Sequence, residues 1–122
     1  MVRLFGEIPY IDYIITDPAS ALTIGKNSVE DIYTHIMDDL TFAKENLPDK
    51  RDNDIRSRPT KGTAAAYLAS MHLTLGNYQE AYDEAKWVID NKGLFGYGLV
   101  EDFQDLFRAE IADGLKEHVF AI

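Results

Sequence analysis

Two residues, Gly76-Asn77, separate two stretches in which apolar side chains recur at steps of three and four. Ala64, Tyr67, Leu68, Met71 and Leu75 precede the pair, and Tyr78, Ala81, Tyr82, Ala85, Val88 and Ile89 follow it. Each recurrence predicts a helix with one apolar face. A connection this short makes the two helices antiparallel neighbours. Their backbones must then approach closely, which requires small residues at the crossing. Ala64, Ala65, Ala66 and Ala69 supply them on one side, and Ala81 and Ala85 on the other. A helical hairpin is therefore the element around which the rest must be arranged.

The first hairpin helix is expected from a Thr60 cap to about Leu75, and the second from Tyr78 to about Asn91. Gly93 is placed to cap the second, because glycine adopts the left-handed conformation that ends helices. Upstream, Val29, Ile32, Tyr33, Ile36, Met37, Leu40, Ala43 and Leu47 mark another amphipathic helix, over Val29 to Asn46. Ser28 is its expected N-cap, with Asp31 in the capping-box position. Pro48 ends it. The charged stretch Asp49 to Arg58 is a solvated connector. Near the two ends, Ile8 to Ile15 and His118 to Ile122 read as short extended segments, the first barred from a central strand by Pro9. Gly93 to Leu99 is a glycine-rich turn, and a short helix is expected from Glu101 to Arg108. The fold class is thus mainly α, with short extended segments near both ends.

Composition closes off several functions. With no cysteine among 122 residues, disulfide frameworks, cysteine zinc sites and cysteine nucleophiles are excluded. A net charge of −9 repels phosphate backbones and argues against nucleic acid as a partner. No stretch approaches the roughly 18–20 consecutive apolar residues of a membrane span. The start, Val2-Arg3-Leu4-Phe5-Gly6, reads as the last turn of a helix with its terminal glycine, and the chain stops on the apolar His118-Val119-Phe120-Ala121-Ile122. Both ends lead to the expectation that this is a piece of a longer protein.

The string Leu75-Gly76-Asn77-Tyr78-Gln79-Glu80-Ala81 resembles the turn of a tetratricopeptide repeat, an α-α superhelix of stacked antiparallel hairpins. The Val29–Asn46 helix, ending Leu47-Pro48, resembles the second helix of a preceding repeat. On this likeness, residues 1–122 are expected to form a single tetratricopeptide-like helical domain. Five blocks in order resemble a more specific family. They are Val2 to Pro9; Tyr33 to Leu40 with Leu47-Pro48; Arg58-Pro59-Thr60-Lys61-Gly62-Thr63-Ala64-Ala65 with the hairpin turn; Tyr97-Gly98-Leu99 with Phe103 to Phe107; and Glu117 to Ile122. Together they are similar to the SusD/RagB family. That resemblance implies a surface-exposed outer-membrane lipoprotein that binds glycans or other nutrients. It implies a TonB-dependent, SusC-like transporter as partner, with the tetratricopeptide core as scaffold and the sugar contacts mostly in other segments. The alternative from the hairpin alone is a stand-alone tetratricopeptide module that binds protein or peptide.

No catalytic centre is legible. Asp83 with Glu84, or Glu101 with Asp102, could be imagined as a glycosidase pair, but nothing in the sequence buries them or sets them apart from surface charge. A nucleophile elbow and a phosphate-binding glycine loop are both missing from the sequence. His35, His72 and His118 have no zinc spacing, and His35 with Asp38 and Asp39 reads as a solvated helix face. The chain is therefore expected to be no enzyme and to hold no metal or cofactor. Three aromatics are the candidate ligand contacts. Trp87 points away from the Tyr78–Ala85–Ile89 face, and Tyr10 and Tyr13 flank the segment around Pro9. Packing is the favoured role for all three, as it is for Tyr33, Tyr67, Tyr78 and Tyr82 on the apolar stripes.

Overall fold

A computed structural model describes the whole chain except Ile55, Asp113, Ala121, Ile122 and the side chain of Asp54. The helices are α1 (Val2–Phe5), α2 (Val29–Asn46), α3 (Lys61–Leu75), α4 (Tyr78–Asp90), α5 (Lys92–Phe95) and α6 (Ala109–Ala112). Single 3-10 turns occupy Ser20–Thr23, Asp52–Asp54 and Phe103–Phe107. Among the described residues no helix is long and apolar enough to cross a membrane. The chain forms two compact units, Met1–Asp38 and Asp39–Ile122, with the boundary inside α2.

In the first unit, Gly6 ends α1 at a positive φ of 68°. The next residues run extended, and Ile8 pairs antiparallel with Asn27 in an isolated bridge. Asn27 ties this segment down three ways. Its N–H donates to the Ile8 carbonyl at 3.0 Å, its Oδ1 accepts the Tyr10 N–H at 3.0 Å, and its Nδ2 donates to Asp31 at 2.6 Å. Ser28 caps α2 as expected, accepting the Asp31 N–H at 3.1 Å. Ile32 and Tyr33 of α2 are buried.

The second unit is built on the α3–α4 hairpin. Thr60 and Thr63 form a reciprocal capping box: Thr60 Oγ1 accepts the Thr63 N–H at 3.4 Å, and Thr63 Oγ1 accepts the Thr60 N–H at 3.2 Å. Gly76, at φ 81°, ends α3 in the left-handed conformation. The N–H of Asn77 then reaches back to the His72 carbonyl at 2.9 Å, which completes the turn. The small residues at the crossing are Ala64, Ala65 and Ala81; Ala66 and Ala69 are half-buried, and Ala85, expected there too, is exposed because it lies on the outer side of α4. Gly62, Ala64, Ala65 and Ala81 are all buried, and Leu68 with them.

Phe95 is the anchor of this unit, with 1% of its surface exposed. Burying such a ring contributes roughly 1.5–3 kcal/mol. It reaches that place because α4 does not end at Gly93. Asn91 caps α4, Lys92–Phe95 makes one more turn, and Gly96 at φ 73° ends that turn. The expected glycine cap is therefore displaced by three residues; Gly93 sits inside α5. The expected helix Glu101–Arg108 is only a 3-10 turn, Phe103–Phe107, capped by Asp102. The strand-like run at His118–Ile122 is bend at Val119 and Phe120. A strand needs a neighbour to accept its hydrogen bonds, and among the described residues the only bridge is Ile8–Asn27. Ala121 and Ile122 lie outside the described residues.

The apolar stripe of α4 is the largest departure from expectation. Its Ala81 is buried, yet Tyr78, Tyr82 and Ile89 are 71%, 60% and 64% exposed. The inward side of α4 carries Ala81, Glu84, Trp87 and Val88, at helical steps of three and four, while Tyr67 on α3 is also open. Tyr67, Tyr78 and Tyr82 are thus surface residues of this chain, and only Tyr33 among the stripe tyrosines is buried. The inward face was disguised because it includes a carboxylate.

Two outcomes follow for the isolated chain. Gly62→Ala lowers its stability by about 1–3 kcal/mol, because the added carbon overpacks a buried site; urea unfolding followed by Trp87 fluorescence measures it, and an unchanged midpoint would refute the packing account. The exposed α4 stripe drives self-association at high concentration. Light scattering should show a falling apparent mass when Tyr78, Tyr82 and Ile89 are all changed to Ser, and a clean monomer before substitution would contradict this.

Candidate functional site

The N-terminus of α3 is the most constrained place in the second unit. Gly62 lies under Tyr97 and Phe95 so closely that a methyl group there would sit 2.8 Å from Tyr97 Cε2 and 3.0 Å from Phe95 Cδ2. Only glycine fits. The Tyr97 hydroxyl meets Thr60 Oγ1 at 3.0 Å, and the Thr63 hydroxyl donates to the Val119 carbonyl at 3.2 Å. The Thr60-Lys61-Gly62-Thr63 string therefore joins α3 to the Tyr97 loop and to the terminal segment at once.

From this point an aromatic row extends across the unit. Trp87 and Phe95 have ring centroids 5.3 Å apart, and Phe95 and Tyr97 are 5.5 Å apart. A cation closes each end. Lys44 Nζ stands 4.6 Å from the Trp87 ring centre and binds both Glu84 oxygens at 2.7 Å. The Arg56 guanidinium lies 5.1 Å from the Tyr97 ring centre and donates to the Gly96 carbonyl at 2.9 Å. Lys44 is what makes an inward Glu84 tolerable, since a half-buried carboxylate without a partner is costly.

Of the three candidate ligand contacts, Trp87 is half-buried and covered by Phe95 on one side and Lys44 on another. Tyr10 stacks flat on His35, with centroids 4.2 Å apart and planes 8° from parallel. Tyr13 is exposed. His35 pairs with Asp31, at 3.7 Å, one turn toward the N-terminus, in place of the expected neighbours Asp38 and Asp39. His72 is half-buried, with its Nδ1 3.5 Å from Asn77 Nδ2. Among the described residues there is no cluster of three or more metal-ligating side chains.

Two grooves flank the unit's terminal segment. One, of about 320 Å³, lies between Ala66, Tyr67 and Ser70 of α3 and Glu117–Phe120. The other, of about 360 Å³, is mainly apolar and includes Val88, Ile89, Leu99 and Val119, with Lys92 and Lys116 among its lining residues. Sequence reasoning found neither. Their walls come from segments some fifty and thirty residues apart, and no periodicity links the two sides. None of Trp87, Tyr10 and Tyr13 lines either groove.

Hairpin, capping box and small-residue interface define a tetratricopeptide-like helical scaffold. The family model described as "Starch-binding associating with outer membrane" matches residues 1–73. The chain belongs to this SusD-like family. It is 48% identical over 122 residues to the SusD-like protein P2 of Formosa agariphila, covering 100% of this chain and 24% of that protein. A SusD-like protein of Bacteroides fragilis superimposes with a TM-score of 0.82 at 25% identity, covering 99% of this chain and 24% of that one. A laminarin binding SusD-like protein gives a TM-score of 0.72 at 27% identity over 83% of this chain and 22% of its own. The family description and the last of these names denote binding, not a reaction. The chain spans about a quarter of the length of these relatives.

Lys44→Met removes both the ion pair and the cation over Trp87. The expected result is a stability loss of about 1–2 kcal/mol with a shift in the emission of Trp87, the sole tryptophan. Unchanged emission and an unchanged unfolding midpoint would show that the Lys44–Glu84–Trp87 cluster is not formed.

Proposed function

We propose that this chain is the helical scaffold segment of a larger surface lipoprotein that binds a glycan or related nutrient at the outer membrane and works with a TonB-dependent, SusC-like transporter. Residues 1–122 serve in it as a tetratricopeptide-like unit. The observation that carries this reading is the exposed Tyr78–Tyr82–Ile89 stripe of α4 in a chain a quarter as long as its relatives. An apolar face of this size calls for a covering surface, as a frame within a larger assembly would have. The family description, which speaks of starch binding, and one relative's name, which speaks of laminarin, support a glycan as the ligand class.

The candidate contacts divide within this reading. Trp87 and Tyr10 are spent on Phe95, Lys44 and His35, so their role is to stiffen the scaffold. Tyr13 keeps an exposed ring, which supports it over the other two as a ligand contact. The exposed α4 stripe would also serve a stand-alone module as a peptide-docking face, and the test separates the two readings.

The protein produced from its own gene, tagged and purified from detergent-solubilised envelopes of its host, should carry a TonB-dependent transporter with it. It should also bind starch- or laminarin-derived oligosaccharides in calorimetry. Recovery from the soluble fraction without a transporter and with no glycan binding would overturn the proposal in favour of the stand-alone module.

A further inference from the structure

Thr63, Tyr67 and Ser70 recur at steps of four and three, so they form one stripe along α3. The Thr63 hydroxyl holds the Val119 carbonyl at 3.2 Å, which hangs the terminal segment beside that stripe. Two more bonds fix the segment at its start. Glu117 Oε2 accepts the Val100 N–H at 2.9 Å, and the Lys116 carbonyl accepts the Gly98 N–H at 3.1 Å. The groove of about 320 Å³ between stripe and segment thus has both walls set before any ligand arrives. Prepaid ordering of this kind is what favours binding.

The lining is aromatic and polar together. Tyr67 is 48% exposed, and Ala66 beside it leaves room. Ser70, Glu117 and His118 bring oxygen and nitrogen groups, and Phe120 adds a second ring. Among the described residues, the Tyr67 hydroxyl, the Ser70 hydroxyl and the His118 imidazole have no protein hydrogen-bond partner. An anion finds no lysine or arginine in this lining, and a purely apolar ligand would leave these groups unmatched. A sugar ring suits both parts, since it presents an apolar face of C–H bonds and a rim of hydroxyls that donate and accept.

We propose that this groove is a saccharide subsite on the scaffold itself, with Tyr67 as the stacking platform and Ser70, Glu117 and His118 as partners for the hydroxyls. The inference rests on the carbohydrate-binding reading above and gives it a location on this segment.

The test is calorimetric titration of the protein from its own gene with starch- and laminarin-derived oligosaccharides, unaltered and as variants. Tyr67→Ala should weaken binding about tenfold, as loss of a central aromatic anchor does. His118→Ala and Ser70→Ala should weaken it in the same direction. Phe42→Ala, which removes an exposed ring from α2, should leave it unchanged. Should Tyr67→Ala fail to fold by circular dichroism, Ser70→Ala and His118→Ala decide the question. If the unaltered protein binds and these variants bind equally well, the subsite is overturned while the carbohydrate reading stands. If the unaltered protein binds none of the oligosaccharides, both fall.

Discussion

The second unit depends on one close approach. Gly62 presents bare backbone where Tyr97 and Phe95 press in, so closely that a side chain there would have to displace their rings. Because that space exists, Phe95 can be buried, and a buried Phe95 gives Trp87 a partner. The same turn of α3 offers Thr60 to the Tyr97 hydroxyl and Thr63 to the Val119 carbonyl. Four residues in sequence thus gather the α5 turn, the Tyr97 loop and the terminal segment. A larger residue at position 62 would press on each of these contacts through the displaced rings.

The charges near this core are placed to keep it consistent. Lys44 and Arg56 stand over the outer rings of the aromatic row, and each also satisfies an oxygen, on Glu84 and on Gly96. Cations over aromatic faces contribute modestly at exposed sites and more where water is excluded. Here their second role matters as much, because each covers an acceptor near the row. The outer face of α4 is treated differently. Its tyrosines and isoleucine face solvent in this chain.

Much of this was legible residue by residue. The bounds of α2, the Thr60 cap and the Gly76 turn follow from local rules, since capping and periodicity concern neighbours a few residues apart. The five ordered blocks also carried the family. Other features were hidden. Gly93 and Gly96 look equally able to end a helix, and only burial of Phe95 selects the second. The inward face of α4 includes Glu84, which sequence patterning assigns to solvent, because its partner Lys44 lies forty residues away. The groove beside Tyr67 has a wall contributed by residues 117–120, and nothing local announces it.

By itself, then, the sequence determined that the chain is a helical hairpin scaffold with a small-residue interface, because turn length, caps and alanine spacing act within a few residues of one another. Tertiary structure alone decided which face of that hairpin is inside. Lys44 comes from forty residues before Glu84 and Phe95 folds back from the turn that follows α4, and their contacts hold Trp87 inward while the tyrosine stripe stays in solvent. Burial is a property of the assembled neighbourhood, so periodicity can mark a face as apolar without fixing what, if anything, covers it.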